Sequence, residues 1–305
     1  MKRILDCSAS DFRALDRESL KQSILAAEGR TVVAETIVVA PPLYPDVTNG
    51  EIVKAFGADL LLLNMLDVFA PVVVGLDHAR VPADGGDHSS PVPVLKRLTG
   101  LPVGVNLEPV AAQSDALEQL EAIAEGRTAT PRALAQAKAL GCDFVCLTGN
   151  PKTGVTNAQI ERAIGDAREY FGGLVIAGKM HSSGTRDAAP GDAAVRFAQA
   201  GADVVLLPAP GTVPGVREDD LAHTIARVKQ AGALVLAAIG TSQEGADEAT
   251  VREIALSAKR AGADMLHIGD CGFTGIAVPE NIMALSIAIR GRRHTYIRMA
   301  RSAVR

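Results

Sequence analysis

Tryptophan is absent from this 305-residue chain, and aromatic residues make up only 3% of it. Stacking platforms for unpaired bases are therefore not expected. The formal net charge is −4 and the basic residues are dispersed, so a nucleic-acid partner is not expected either. No apolar run approaches the roughly 18 residues that a membrane span needs. Lys2 and Arg3 are followed by Asp6, Asp11 and Arg13 rather than an apolar stretch, which is unlike a secretory leader, and the expected location is the cytoplasm. The four cysteines, Cys7, Cys142, Cys146 and Cys271, lack the spacing of a structural metal site. Cys142 and Cys146 flank an apolar run as small core residues. Cys271 lies in a glycine loop, as a packing residue or a reactive thiol. No Gly-x-Gly-x-x-Gly opens the first turn, which argues against a doubly wound dinucleotide fold.

What the chain has in quantity is aliphatic side chains in a repeated setting. It is 48% hydrophobic, enough for one large core. Gly57-Ala58-Asp59, Gly141-Cys142-Asp143, Gly201-Ala202-Asp203, Gly232-Ala233 and Gly262-Ala263-Asp264 each precede an unbroken aliphatic run. The last three starts lie about 30 residues apart, the length of one βα unit. A glycine ends each helix, and the apolar run suits a parallel strand covered on both faces. Eight such strands are expected: Val32 to Val39, Asp59 to Asn64, Val103 to Leu107, Asp143 to Thr148, Leu174 to Lys179, Asp203 to Leu207, Leu234 to Ile239 and Met265 to Ile268. The expected fold is a single-domain α/β protein, a (β/α)8 TIM barrel. Residues 1–30 form an N-terminal helical cap, with a helix over 11–28. Thr48 or Asn49 caps one helix and Thr130, before Pro131, caps another. Long connections follow strands two and three. The first, 65–92, reads as a lid or an interface arm, with Phe69 to Val74 as a subunit contact in a homo-oligomer. Its Asp84 to His88 run reads as a solvated turn. The second connection holds a helical piece at Ala116 to Ala124. The arginines of the C-terminal stretch read as a solvated helix face or a subunit contact.

Barrel chemistry sits where strands end. There the chain places Glu35 (strand one), Asn64 and Asp67 (two), Asn106 and Glu108 (three), Thr148 and Asn150 (four), Lys179 and His181 (five), and His267 and Asp270 (eight). Residues two apart share a face, so Asn106 with Glu108, Thr148 with Asn150, and Lys179 with His181 form co-facing pairs. Lys179 is a candidate acid, base or Schiff-base amine, because a desolvated lysine loses proton affinity. The alternative is a structural ion pair between Lys179 and Glu35. His181 is a candidate proton shuttle or an idle loop residue. With Glu108 and Glu35 these complete the catalytic candidates, while Asn64, Asn106, Thr148, Asn150 and Asp270 are candidates for substrate binding. Loops after strands seven and eight are the usual phosphate site of barrels. Here they offer Gly240, Thr241, Ser242, Gly269, Gly272 and Thr274, so a small anionic metabolite is the expected ligand. Glu35, Glu108 and Asp270 are oxygen donors of the kind that suits Mg²⁺.

Several runs carry a family resemblance: Glu28 to Thr36, Phe56 to Asn64, Gly104-Val105-Asn106-Leu107-Glu108-Pro109 and Gly178-Lys179-Met180-His181. They look like a family of bacterial barrels labelled phosphoenolpyruvate phosphonomutase-like, and the resemblance covers nearly the whole chain. It implies a TIM barrel and a lyase or isomerase acting on a phosphorylated or carboxylated metabolite; the alternatives are a metal-assisted mutase or hydrolase using Glu35, Glu108 and Asp270, and a non-catalytic ligand-binding or assembly protein. The Asp-x-Asp pair and the Lys-Lys-Cys-Gly-His lid of true phosphonomutases are not in this sequence. Weaker similarity, in the loop Leu147 to Thr156 and the last glycine loop, is to the BtpA/SgcQ group of barrels.

Overall fold

The structure is a computed structural model and describes residues 1–76, 90–110, 116–187 and 191–305. Eight strands run β1 Thr31–Ile37, β2 Leu60–Asn64, β3 Val103–Leu107, β4 Phe144–Leu147, β5 Leu174–Gly178, β6 Val204–Pro208, β7 Leu234–Ile239 and β8 Met265–Ile268. They pair in parallel, in sequence order, and β1 closes on β8. This is the (β/α)8 barrel expected from the repeated apolar runs. The helices are α1 Ala9–Ala14, α2 Arg17–Leu25, α3 Asn49–Ala55, α4 Pro91–Thr99, α5 Pro131–Ala139, α6 Asn157–Asp166, α7 Asp192–Gln199, α8 Glu218–Gln230, α9 Glu248–Arg260 and α10 Pro279–Ala300. Thr48 and Thr130 cap α3 and α5 as expected, each accepting from the amide three residues on.

Two expected helices differ. The single helix over 11–28 is broken at Leu15, because the Asp16 carboxylate accepts from the Ser19 amide and starts α2 afresh. The segment Ala116 to Ala124 is not helical: its amides donate outward, Leu117 to the Gly184 carbonyl and Glu121 to the Lys152 carbonyl, both at 2.8 Å. It therefore lies across the loops that follow β4 and β5. The arm after β2 is described only to Leu76, so the Asp84 to His88 run lies outside the described residues. Phe69 and Val73 pack against the barrel's own core, and the Arg132 guanidinium sits 4.3 Å over the Phe69 ring. Only part of that piece is packed in this way, since Val72 and Val74 are exposed.

The recurring Gly-x-Asp has a structural task. Each aspartate precedes an even-numbered strand and accepts the first amides of the odd strand before it. Asp59 accepts from Val32, Asp143 from Val103, Asp203 from Val175 and Asp264 from Val235, at 2.8–3.0 Å. Each carboxylate also meets a cation: Arg290 and Arg298 on Asp59, Lys96 on Asp143, Arg17 on Asp203 and Lys229 on Asp264. The C-terminal arginines are therefore only partly a solvated face, since Arg290 and Arg298 are buried at the barrel's bottom.

Register fixes which side chains face the barrel axis. Glu35 lies beside Leu62, Leu62 beside Gly104, and Gly104 beside Phe144. Asn106 lies beside Cys146, Ile176 beside Val204, and Ala238 beside His267. Laterally paired residues of a parallel sheet share a face. Glu35, Asn64, Asn106, Thr148, Gly178 and His267 thus belong to the axial set. Lys179, one residue beyond Gly178, has the opposite parity.

Candidate functional site

At the C-terminal ends of the strands lies a cavity of about 560 Å³. Its lining includes Glu35, Asn64, Asn106, Thr148, Asn150, His181, Gly240, Thr241, Ser242, Gly269 and Asp270, so most of the sequence candidates converge there. Four expected residues do not line it: Lys179, Glu108, Gly272 and Thr274.

Lys179 is fully buried, and its ammonium donates to the Val155 carbonyl at 2.9 Å and the Thr185 hydroxyl at 3.1 Å. Burial lowers its pKa to about 8. Its parity turns it between the loops after β4 and β5, which corrects both its expected catalytic place and the expected pairing with Glu35. Among the described residues no lysine lines the cavity. Glu108 is also redirected. One carboxylate oxygen accepts from Arg127 Nη2 at 2.7 Å and Asn150 Nδ2 at 2.9 Å, the other from the Asn150 amide at 2.8 Å. It positions Asn150 and is not free to act as an acid, a base or a metal ligand. The expected Mg²⁺ trio of Glu35, Glu108 and Asp270 is therefore not assembled.

The centre of the cavity is an amide cluster. Asn64 Nδ2 donates to Asn150 Oδ1 and Asp270 Oδ2, both at 2.8 Å, and Asn64 Oδ1 accepts from Asn106 and Asn150. Asn106 Oδ1 and Thr148 Oγ1 are buried without a hydrogen-bond partner. Such atoms are costly to leave unpaired, so these two are open acceptors for a ligand. His181 lines the cavity with Nδ1 accepting from the Ser183 amide at 3.0 Å, so the neutral ring carries its proton on Nε2. Burial lowers its pKa, and the Lys179 charge lowers it further.

Next to the amides, and bonded to them through Asp270, is an acidic group. Glu35 is almost wholly buried, and His267 Nε2 lies 2.9 Å from its Oε2. Burial first, and then the nearby Asp270 charge, raise the Glu35 pKa to about 7 against the lowering effect of the His267 hydrogen bond. Glu244, from the loop after β7, is buried, with Oε1 accepting from the Cys271 amide at 3.1 Å and Oε2 unpartnered. Burial and the Asp270 carboxylate push the Cys271 thiol up to about 12.

The expected phosphate cradle is thus altered. Gly240, Thr241, Ser242 and Gly269 line the cavity, but the Thr241 hydroxyl is held against the Thr212 carbonyl at 2.5 Å. Gly272 is pressed on the start of α10, where a Cβ would lie 2.5 Å from the Val278 nitrogen, and Thr274 is exposed beside Asn49. Glu244 and Asp270 put negative charge where an anion would sit. Arg127 and His181 also line the cavity.

Sequence reasoning passed over Glu244 and Arg127. Glu244 stood inside a glycine loop read for its backbone, and Arg127 in a long connection without a periodic pattern. A further signal is visible only in the backbone. Met65, Ser183, Thr241 and Ser242 all adopt left-handed φ, at +55° to +74°, and all line the cavity. Such strain in non-glycine residues concentrates at functional sites.

Residues 5–305 match the family model described as "Domain of unknown function (DUF7916)". No curated protein matches the chain in sequence. Among solved structures it is similar to an archaeal fructose-1,6-bisphosphate aldolase with its catalytic Lys bound to the carbinolamine intermediate, at 15% identity, 87% coverage of this chain, 96% of that one and TM-score 0.50. It is similar to the YdjI aldolase of Escherichia coli K12 at 11% identity, 92% and 95% coverage and TM-score 0.47. A 2,3-dimethylmalate lyase of the PEP mutase/isocitrate lyase superfamily is similar at 14% identity, 86% and 80% coverage and TM-score 0.46. At such identities the likeness shows the fold alone.

Proposed function

The chain belongs to the DUF7916 family, and from the cavity of this barrel we propose that it is a lyase or isomerase acting on a small, oxygen-rich carboxylated or phosphorylated metabolite. The observation that carries this reading is Glu35: a buried carboxyl on the cavity wall, backed by His267, with its pKa raised to about 7. A general acid or base works best when its pKa lies near the working pH. Glu35 takes a proton from a carbon beside a carbonyl, or returns one, and His267 holds the carboxyl in place. Asn106 Oδ1 accepts from a substrate hydroxyl and the Thr148 hydroxyl meets a second substrate oxygen, with Asn64 holding the Asn106 amide and Asn150 bonded to Asn64 in turn. Arg127 and the Nε2–H of His181 face the substrate's anionic group. Because Lys179 is turned away, the reading includes no Schiff base.

The test is proton exchange in D₂O with a panel of 2-oxo acids, 2-hydroxy acids and their phosphorylated counterparts, followed by proton NMR. Loss of a C–H signal with the wild-type chain, abolished by Glu35→Gln, is the expected result. Exchange that proceeds equally in Glu35→Gln, or no exchange and no turnover across the panel, overturns the assignment.

A further inference from the structure

Where the loops after β7 and β8 meet, Glu244, Asp270 and Cys271 bring one donor atom each to within 4.8 Å of one another. Donors bound at roughly 2.0–2.3 Å to one ion lie at most about 4.6 Å apart, so a small contraction would close the trio on a cation.

Three features set this group apart from an ordinary acidic patch. Glu244 is 1% exposed, and its Oε2 is shut off from solvent with no hydrogen-bond donor. A buried carboxylate oxygen without a donor is costly, and a cation is the partner that a wall of acceptors lacks. The carboxylate is also held in place. The Cys271 amide donates to Oε1 at 3.1 Å, and the Glu244 and Ala246 carbonyls both accept from Asn281 on α10. Gly269 leaves room for it, since a Cβ there would lie 2.9 Å from Oε1. Finally, Asp270 is oriented from behind, accepting from Asn64 Nδ2 at 2.8 Å, which is the outer support that ligating carboxylates usually have.

We propose that Glu244, Asp270 and Cys271 bind one divalent first-row transition cation at the cavity wall. Two carboxylates with one sulfur are a borderline donor set, which suits Zn²⁺ or Co²⁺ better than Mg²⁺ or Ca²⁺. Binding releases the Cys271 proton to solvent. A cation here would also offset the Asp270 charge that helps raise the Glu35 pKa, but the test of the site needs no substrate.

The full chain, stripped with a chelator, is titrated with Co²⁺ and followed by calorimetry and near-ultraviolet absorption. One ion per chain is expected, with a sulfur-to-cobalt charge-transfer band. Cys271→Ser abolishes the band, while Cys142→Ser keeps it. Glu244→Gln and Asp270→Asn each weaken binding by at least ~10–100-fold, the loss seen even for outer-shell supports. Circular dichroism checks that the variants fold, and the exposed Cys271 position serves if Glu244→Gln does not. No binding, a band that survives Cys271→Ser, or affinity unchanged in Glu244→Gln and Asp270→Asn overturns the site.

Discussion

Glu35 and Lys179 are both buried ionisable residues near strand ends, and their surroundings give them different tasks. Glu35 lies on the cavity wall, and its carboxyl titrates at about 7 against 4.5 for an unperturbed group. The folded chain therefore holds a proton that the unfolded chain has lost between these values, and stability falls as pH rises from about 4.5 through 7. At about 1.4 kcal/mol per pKa unit the full effect is on the order of 3 kcal/mol. Glu35→Gln should remove it, so the stability difference between variant and wild type should move in the variant's favour between pH 5 and 8. Urea unfolding at several pH values measures this, and a constant difference would contradict the raised pKa. Lys179 has its ammonium occupied by Val155 and Thr185. Borohydride treatment with 2-oxo acids should therefore leave Lys179 unmodified in a peptide mass map; an adduct there would restore it as a nucleophile.

At the scale of the element, the Gly-x-Asp start is a stitch between neighbouring strands. Its aspartate satisfies an amide at the bottom of the preceding strand and meets a cation from an adjacent helix or the N-terminal cap. Asp203→Ala should leave the Arg17 guanidinium and the Val175 amide without their partner, costing ~3–5 kcal/mol as for other broken buried pairs. Asp143 is more exposed and meets one lysine, so Asp143→Ala should cost less. Paired urea denaturation curves rank the two, and equal losses would refute the stitch as a burial effect. The repeat was legible in the sequence because glycine and aspartate mark helix ends and aliphatic runs mark covered strands. What the aspartates bond to was not legible, since each amide partner lies 27 to 40 residues away and the arginines of Asp59 and Asp203 lie 186 to 239 away. The parity of Lys179 was hidden for a related reason. Apolar residues on both faces of β5 leave no alternation to show where the strand ends, so one residue of uncertainty exchanged Gly178 for Lys179. Asn64, Asn106 and Asp270 were legible because polar residues ending apolar runs stand out, whereas Glu244 and Arg127 sit in loops with no such contrast.

Across the whole molecule the two ends of the barrel treat buried charge in opposite ways. At the bottom every stitching carboxylate has a cation. At the top Glu35, Asp270 and Glu244 meet amides, a histidine and one another, and the guanidinium of Arg127 is engaged by Glu108. Barrels generally keep stability at the first end and chemistry at the second. The bottom is closed by both chain ends. Arg298 reaches the Ile4 and Cys7 carbonyls, and Arg290 the Gly57 carbonyl, while both grip Asp59. Removing residues 301–305 should cost little, because the main ties it breaks are the Arg301 contacts and the Ser10 bond to the Arg305 carbonyl. Removing residues 290–305 should cost far more, since it strips Asp59 of both guanidiniums and leaves a buried charge without a cation. A loss of ~3–5 kcal/mol from that alone is a large share of the ~5–15 kcal/mol that holds a domain together. Adding Asp59→Asn to the longer deletion should recover part of the loss, because an amide is cheaper to bury than an uncompensated carboxylate and keeps an acceptor for the Val32 amide. Thermal unfolding of the two truncations and the rescued form distinguishes the outcomes: a longer deletion no worse than the shorter, or no recovery with Asp59→Asn, would mean that α10 closes the barrel by apolar packing rather than by its arginines.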